Sequence, residues 1–407
     1  MKSILIKVGV FPLNSETFII NNIILLDQLG YNIKVLCDKK LDFNKSIHKR
    51  QLQQLISEDC IIETRKERFS SSKIINWITF CFRNFKYLLD VFRLYRIVND
   101  LTLSFEIIDF YKCFKKVDII HIQYGTNCKP IDALKKINFI RSKIITTFHG
   151  HDVFFPINGI IHDPEYYKLL IEKGDLFFAN TLFLKQKLLE LGFNESKVSV
   201  IPVPVNTEFF KPLKQKKHAK NTSEIKLLCV GRLVEIKGFS YAIKAVRELK
   251  KRNIKFSLKI IGEGPIKDFL LSQIKRYNLN DSITILSAMS QDLLKFEYNQ
   301  CDIFIMSSIT INDEIKETQG LVTLEAQSCG TPVVAFDSGG IRYTFEDKVT
   351  GLLCREMDYI DMAEKLEFLI NNPELRIKLG ENAPIFVRKN YSEKVVKTLW
   401  KNILNEL

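Results

Sequence analysis

No stretch of the 407-residue chain approaches the roughly 20 consecutive apolar residues that a membrane-crossing helix needs. The most suggestive run, IINWITFCF at Ile74–Phe82, is too short. The opening MKSILIKVGVFPL is interrupted at Lys7 and is followed by no small-residue cleavage site, so it reads as a buried first strand and not as a secretion signal. There is no CxxC pair among the nine cysteines, Cys37, Cys60, Cys81, Cys113, Cys128, Cys229, Cys301, Cys329 and Cys354. Their odd number and scattered spacing lack the pattern of a zinc site or a disulfide framework, and imply reduced thiols in a cytoplasmic protein. No GxGxxG follows the first strand, which argues against a Rossmann dehydrogenase. Nucleic-acid recognition motifs are missing as well, so net positive charge alone does not make nucleic acid a partner.

What is present indicates two globular domains. The chain is too long for one ordinary core, and 46% hydrophobic with 26% charged residues excludes disorder. The net charge of +13 is unevenly placed. Arg65–Lys116 holds 11 basic and 5 acidic residues, and Lys211–Lys220 holds 5 lysines and no acid. The first segment is also rich in aromatics (FCFRNFKYLLDVFRLYRIVNDL). Two readings stay open for it: a helix lying on an anionic membrane surface, or an amphipathic helix pair with a solvated basic face.

Short β-branched runs alternate with helical stretches throughout, which predicts an α/β fold of doubly wound parallel sheets. The first series, SILIKVGV to KVSVIPVPV, is followed by a stretch of linker composition, residues 211–224. The pattern then restarts at IKLLCVGRL. This predicts an N-terminal domain over 1–210 with a helical basic-aromatic insert at 65–116, and a second domain over 225–385. A tail helix over 386–407 is expected to cross back to the first half. Two such halves in series imply a cleft, with ligands outside the carboxyl ends of the strands.

The candidate site residues fall at those ends. Arg232 and Lys237, in VGRLVEIKG, offer a planar fork and a point charge that suit a diphosphate; the alternative is a pair of solvated cations. Gly262 and Gly264, in IIGEGP, permit close backbone approach. In KETQGLVTLEAQSCGTPVVAFDSGG, a helix is predicted from about Gly320 to Cys329, with its first amides forming a seat for an anion. Glu317 precedes it and Glu325 lies within it. Their carboxylates can accept bonds from sugar or ribose hydroxyls. The alternatives are a favourable charge near the helix start for Glu317 and a solvated helix face for Glu325. His149, His151 and Asp152 form the turn HGHD; His121 reads as structural.

Taken together, these motifs resemble the retaining glycosyltransferases of family 4, over nearly the whole chain. The carriers are the Glu317–Glu325 pair with AQSCGTPVV and GG, then VGRLVEIKG, GEGP, VIPVPVNTEFFKP and HGHD. PLNSETFI and FHGHD resemble the subgroup that builds capsular, colanic-acid-like and other exopolysaccharides. The resemblance implies the GT-B fold, an N-terminal acceptor domain and a C-terminal domain for a nucleotide-diphosphate sugar. It implies that Arg232 and Lys237 hold the diphosphate, that Glu325 binds the ribose, and that Glu317 and the backbone at Gly320, Leu321 and Val322 contact the sugar. Gly262 and Gly264 complete the expected donor site. His149 would approach the sugar from the first domain, and Glu16, Thr17 and Asp152 would meet the acceptor. The acceptor is expected to be a glycan, lipid-linked, at the inner face of the plasma membrane; no cofactor and no metal are expected. Retention would follow from front-face attack, without Glu317 as nucleophile. The sequence departs from the family at Asn14–Thr17, where a glycine pair is usual, at Arg342 and Tyr343 in GGIRY, and at Ser287. Two rivals are an epimerase of the same fold and a non-catalytic nucleotide-sugar-binding protein.

Overall fold

The structure, a computed structural model, describes residues 2–13, 16–42, 52, 55–64, 85–157, 159–213, 224–312 and 315–407. The chain divides into two compact units. The first comprises Met1–Ala179, Lys185–Ser199 and Asn405–Leu407, the second Asn180–Leu184 and Val200–Leu404.

The first unit is built on seven strands: β1 (Ser3–Phe11), β2 (Asn32–Lys40), β3 (Ile61–Glu63), β4 (Ile119–Gln123), β5 (Lys143–Thr147), β6 (Leu176–Ala179) and β7 (Val198–Val200). Their order is β3-β2-β1-β4-β5-β6-β7. β1 pairs in parallel with β2 and with β4, so Ile6 stands opposite Val35 on one side and His121 on the other. Strand order reverses between β1 and β4, the crevice where open α/β sheets bind ligands. β4 is buried at all five positions, which is why its sequence is a continuous apolar run broken only by His121 and Gln123.

The second unit repeats the plan with β8 (Ile225–Val230), β9 (Phe256–Ile261), β10 (Ile283–Leu286), β11 (Ile303–Met306), β12 (Val333–Phe336) and β13 (Gly351–Cys354). The order is β10-β9-β8-β11-β12-β13 with every pairing parallel, and the switch lies between β8 and β11. Helix Phe239–Lys251 shows how the layers hold. Phe239, Ala242, Ile243, Ala245, Val246 and Leu249 recur at helical spacing and are buried in the core. Each large apolar side chain buried this way contributes about 1.5–3 kcal/mol.

The expected helix at 320–329 spans Leu321–Ser328. Of the basic-aromatic insert, residues 65–84 lie outside the described residues; the remainder forms a turn at Phe85–Tyr87 and helices Leu88–Val98 and Leu101–Tyr111. Residues 214–223 of the expected linker also lie outside. The division between units falls at Ser199, before the expected boundary at 210. The tail is helical over Glu393–Asn405; through Leu404 it belongs to the second unit, and only Asn405–Leu407 to the first. Among the described residues no helix is long and apolar enough to cross a membrane.

Candidate active site

β8 ends at Val230 and the chain turns at once. The Gly231 N–H donates to the Ile261 carbonyl (3.0 Å) and the Leu233 N–H to that of Glu263 (2.7 Å), lacing this turn to the one after β9. A Cβ on Gly262 would lie 1.9 Å from the Gly231 carbonyl oxygen, and one on Gly264 2.3 Å from that of Leu233. The close approach for which these glycines were singled out is therefore made to neighbouring backbone, and it shapes the turn that carries Arg232. Arg232 is exposed, and its guanidinium has no ion-pair partner among the described residues.

Lys237 ends the short turn Glu235–Lys237. Ser307 Oγ donates to its carbonyl (2.9 Å), and the Ile309 N–H to that of Ile236 (2.8 Å), so the segment is tied to the chain leaving β11. The Lys237 ammonium pairs with Glu317 Oε2, and both side chains are largely buried. Sequence reading assigned these two residues to different parts of one ligand; the structure joins them to each other. The alternative of two solvated cations thus fails for Lys237.

The loop bearing Glu317 is held by its backbone. The Gly340 N–H donates to the Glu317 carbonyl (2.7 Å), and Thr181 Oγ1 to that of Thr318 (2.8 Å). The Gln319 amide brackets Val203, accepting from its N–H (3.0 Å) and donating to its carbonyl (2.8 Å). A Cβ on Gly340 would stand 1.7 Å from the Thr318 oxygen, so any larger residue displaces the loop. Gly320, in the left-handed region (φ 76°), leads into helix Leu321–Ser328 and brings no side chain to cap the amides of Leu321 and Val322. Those amides are the ones from which an anion seat was expected. Of the residues that depart from the family, Arg342 folds back onto Asp337 (2.9 Å) after β12, and Ser287 is exposed after β10.

Glu325 is not on a solvated face. The hydroxyl of Tyr298, itself fully buried, donates to Glu325 Oε2 (2.8 Å). Tyr298 comes from helix Gln291–Gln300 and is wedged between the rings of Phe210 and Phe304. Burial pushes the Glu325 carboxyl up to about 7, against the opposing pull of the Tyr298 hydrogen bond. The sequence carries no local sign of this partner, which lies 27 positions away.

In the first unit the ends of β1, β4 and β5 converge on His149. Its ring lies 4.5 Å from that of Phe18 and 4.5 Å from that of Tyr124, centroid to centroid. Tyr124 has a positive φ of 64°, a costly backbone conformation for a bulky residue that recurs at functional sites. Glu16 precedes helix Thr17–Gln28, which Thr17 begins; burial raises the Glu16 carboxyl, and a hydrogen bond with Tyr124 acts the other way. Glu16 and Tyr124 thereby join the His149 cluster, and the ring of His151 lies 5.9 Å from that of Tyr124. Burial first, then His121 and His151, hold His149 down to about 3, so it is neutral at physiological pH.

Asp152 is bound into its own loop. Expected at the acceptor, it is 1% exposed, and its carboxylate accepts the N–H groups of Gly125 (2.8 Å), His149 (3.0 Å) and Gly150 (2.8 Å). It fastens the turn after β5 to the turn after β4. Replacing it by alanine strands three amides, those of Gly125 and Gly150 buried, and Asp152→Ala is expected to lose about 3 kcal/mol of stability by denaturant titration. A loss under about 0.5 kcal/mol would show that the carboxylate is not holding the turn.

Glu325 yields a second prediction. Its carboxyl titrates near 4.5 when unfolded and near 7 when folded, so its ionisation opposes folding as pH rises through that window. Glu325→Gln keeps an acceptor for Tyr298 and cannot ionise. Relative to wild type it should show little gain at pH 4.5 and a gain growing to about 2 kcal/mol at pH 8, a figure discounted for the carboxyl's residual contact with water. A stability difference that does not change with pH would contradict the raised value.

Residues 16–209 match the family model described as Glycosyltransferase Family 4, and residues 210–386 that described as Glycosyl transferases group 1. The chain is 27% identical over 405 residues to WcaL of Escherichia coli (strain K12), which is named for colanic acid biosynthesis; the match covers 97% of this chain and 95% of that one. It is 26% identical over 385 residues to AmsK of Erwinia amylovora, named an amylovoran biosynthesis glycosyltransferase, covering 91% and 89%. Among solved structures, Anabaena Alr3699/HepE in complex with UDP matches over the whole of both chains with a TM-score of 0.73 at 17% identity. With residues 16–386 covered by the two family models and the whole chain by the HepE fold, the chain belongs to the glycosyltransferases of family 4 and has the GT-B fold.

Proposed function

We propose that this glycosyltransferase moves a sugar, with retention of anomeric configuration, from a nucleotide-diphosphate sugar to a lipid-linked glycan during assembly of a bacterial exopolysaccharide. One observation carries the reading: within the second unit, Arg232, the Lys237–Glu317 pair and the amino end of helix Leu321–Ser328 all lie beyond the carboxyl ends of β8 and β11. The names of WcaL and AmsK support the exopolysaccharide setting, and the UDP bound to HepE makes uridine nucleotides the first donors to test.

In this reading Arg232, Lys237 and the helix amides neutralise the diphosphate as its bond to the sugar C1 breaks. The Lys237 ammonium has three donors, so it can hold a phosphate oxygen without releasing Glu317. The acceptor hydroxyl attacks C1 on the face the diphosphate leaves, and its proton passes to the departing phosphate oxygen. Glu317 accepts a sugar hydroxyl, Glu325 the ribose hydroxyls, and His149 approaches the sugar. The cations perform the charge neutralisation, so the reaction is proposed to need no metal and no cofactor. Glu16 and Thr17 are proposed near the acceptor.

The test is a donor screen by thermal shift in EDTA, followed by transfer assays with NMR of the product anomer. One nucleotide sugar should stabilise the wild type, and Lys237→Ala should abolish that shift and cut kcat/KM about 10²–10³-fold. Binding without turnover would favour a non-catalytic protein; an altered free sugar made without acceptor would favour an epimerase; an inverted product would refute retention.

We also propose peripheral contact with the cytoplasmic face of an anionic membrane. Helix Leu88–Val98 buries Val91 and Leu94 completely on one side. On the other side, Leu89 (71%) and Phe92 (53%), with Phe85 (77%) in the preceding turn, stay exposed beside the exposed Arg93 and Arg96. A second apolar face flanked by arginines suits lipid acyl chains below and anionic headgroups around it. The wild type should sediment with vesicles containing phosphatidylglycerol, and Arg93→Glu/Arg96→Glu should weaken this about tenfold or more, at about 1 kcal/mol per basic residue. Equal sedimentation of both proteins would remove the proposal.

A further inference from the structure

We infer that Tyr298 is a positioning residue for Glu325: its hydroxyl holds one carboxylate oxygen, Oε2, and leaves the other, Oε1, as the acceptor for a ribose hydroxyl of the donor. This inference rests on the proposed contact of Glu325 with the ribose, and its test separates the two. Both residues, and all that hold them, lie in the second unit.

A glutamate side chain turns about several bonds, so nothing in the residue itself fixes where its two oxygens stand. Around Glu325 that freedom is removed by one neighbour. Tyr298 is completely buried near the end of helix Gln291–Gln300. Its ring meets those of Phe210 (6.0 Å between centroids) and Phe304 (5.9 Å) edge to face. Its carbonyl accepts from Thr331 Oγ1 (2.6 Å), in the segment that follows helix Leu321–Ser328. Its hydroxyl donates to Glu325 Oε2 within that helix. The tyrosine thus holds the Glu325 helix by its side chain and the segment leaving it by its main chain. Burial first, then the Glu325 charge, pushes the Tyr298 hydroxyl well above its usual range, so it stays protonated and donates to the carboxylate.

The two oxygens of Glu325 differ in consequence. Oε2 is taken, and Oε1 has no hydrogen-bond partner among the described residues. The same helix carries three other side-chain oxygens without a partner, Thr323 Oγ1, Gln327 Oε1 and Ser328 Oγ, and these are sealed from solvent. Oε1 is not sealed, so of the four it is the one a ligand can reach. A guanidinium would claim both oxygens of a carboxylate, whereas a neutral hydroxyl needs a single acceptor. A carboxylate with one oxygen occupied and the other aimed by a rigid phenol therefore suits a ribose. Its ordering is complete before the ligand arrives, which preserves affinity.

The experiment is calorimetric titration of wild type, Tyr298→Phe and Glu325→Ala with UDP and 2′,3′-dideoxy-UDP, or with the GDP and ADP pairs if UDP does not bind. Wild type should prefer the ribose form about tenfold or more, the effect of a hydrogen bond to a charged group. Tyr298→Phe keeps the ring in its wedge and removes only the donor. It should bind UDP about tenfold more weakly and the dideoxy compound as wild type does, so that the preference disappears. A tyrosine that served only to support the core would weaken both nucleotides alike. Tyr298→Phe with its preference intact, or with both affinities lowered equally, overturns the inference. Glu325→Ala tests the underlying reading separately: an undiminished preference there removes Glu325 from the ribose, and failure of wild type to bind any of these nucleotides removes the nucleotide site. If Tyr298→Phe does not fold, proton NMR of the wild type decides. The shielded Tyr298 hydroxyl, assigned by its shift in Glu325→Gln, should give a low-field resonance that persists when UDP binds. Its absence, or its loss on binding, overturns the inference.

Discussion

The hydrogen bond from the Gly340 amide to the Glu317 carbonyl sets the geometry of the Lys237–Glu317 cluster. It brings two backbone segments so close that position 340 has no room for a Cβ. With the loop pinned there, and its next residues held by Thr181 and Val203, Glu317 meets Lys237 and the following helix presents its first amides. Lys237 is fixed from the other side by Ser307. The cluster is thus built on main-chain contacts that tolerate little displacement, which is what electrostatic preorganisation requires.

Electrostatics differ between the two units. In the second, Arg232 is exposed and Lys237 is ion-paired with Glu317. In the first, two histidines that could carry charge are held neutral by burial and linked through the Gln123 amide. A diphosphate needs cations and oriented dipoles, whereas an uncharged sugar needs directional acceptors.

Much of the fold was legible because parallel strands buried on both faces read as continuous β-branched runs, as in IIHIQ and KIITT. The helix at Leu321 was legible from its flanking glycines. Interactions between distant residues were not. Lys237 and Glu317 are 80 positions apart, and nothing local to either announces the ion pair. Gln123 was overlooked because one polar residue at the end of an apolar strand looks like a solvated terminus. The structural partners of Asp152 were hidden for a related reason. Its nearness to His149 suggested a shared ligand, but a carboxylate two residues past a glycine can also turn back and collect its own loop's amides. Gly262 and Gly264 were recognised as sites of close approach, and only the structure shows what approaches.

The protonation of Tyr298's partner has a physiological corollary. In most proteins a drop from mildly alkaline to mildly acidic conditions is sensed by imidazole. Here His149 has been removed from that range and Glu325 moved into it. Acidification of the cell interior would therefore leave the His149 ring of the first unit unaltered and act in the second unit, through the carboxylate of Glu325.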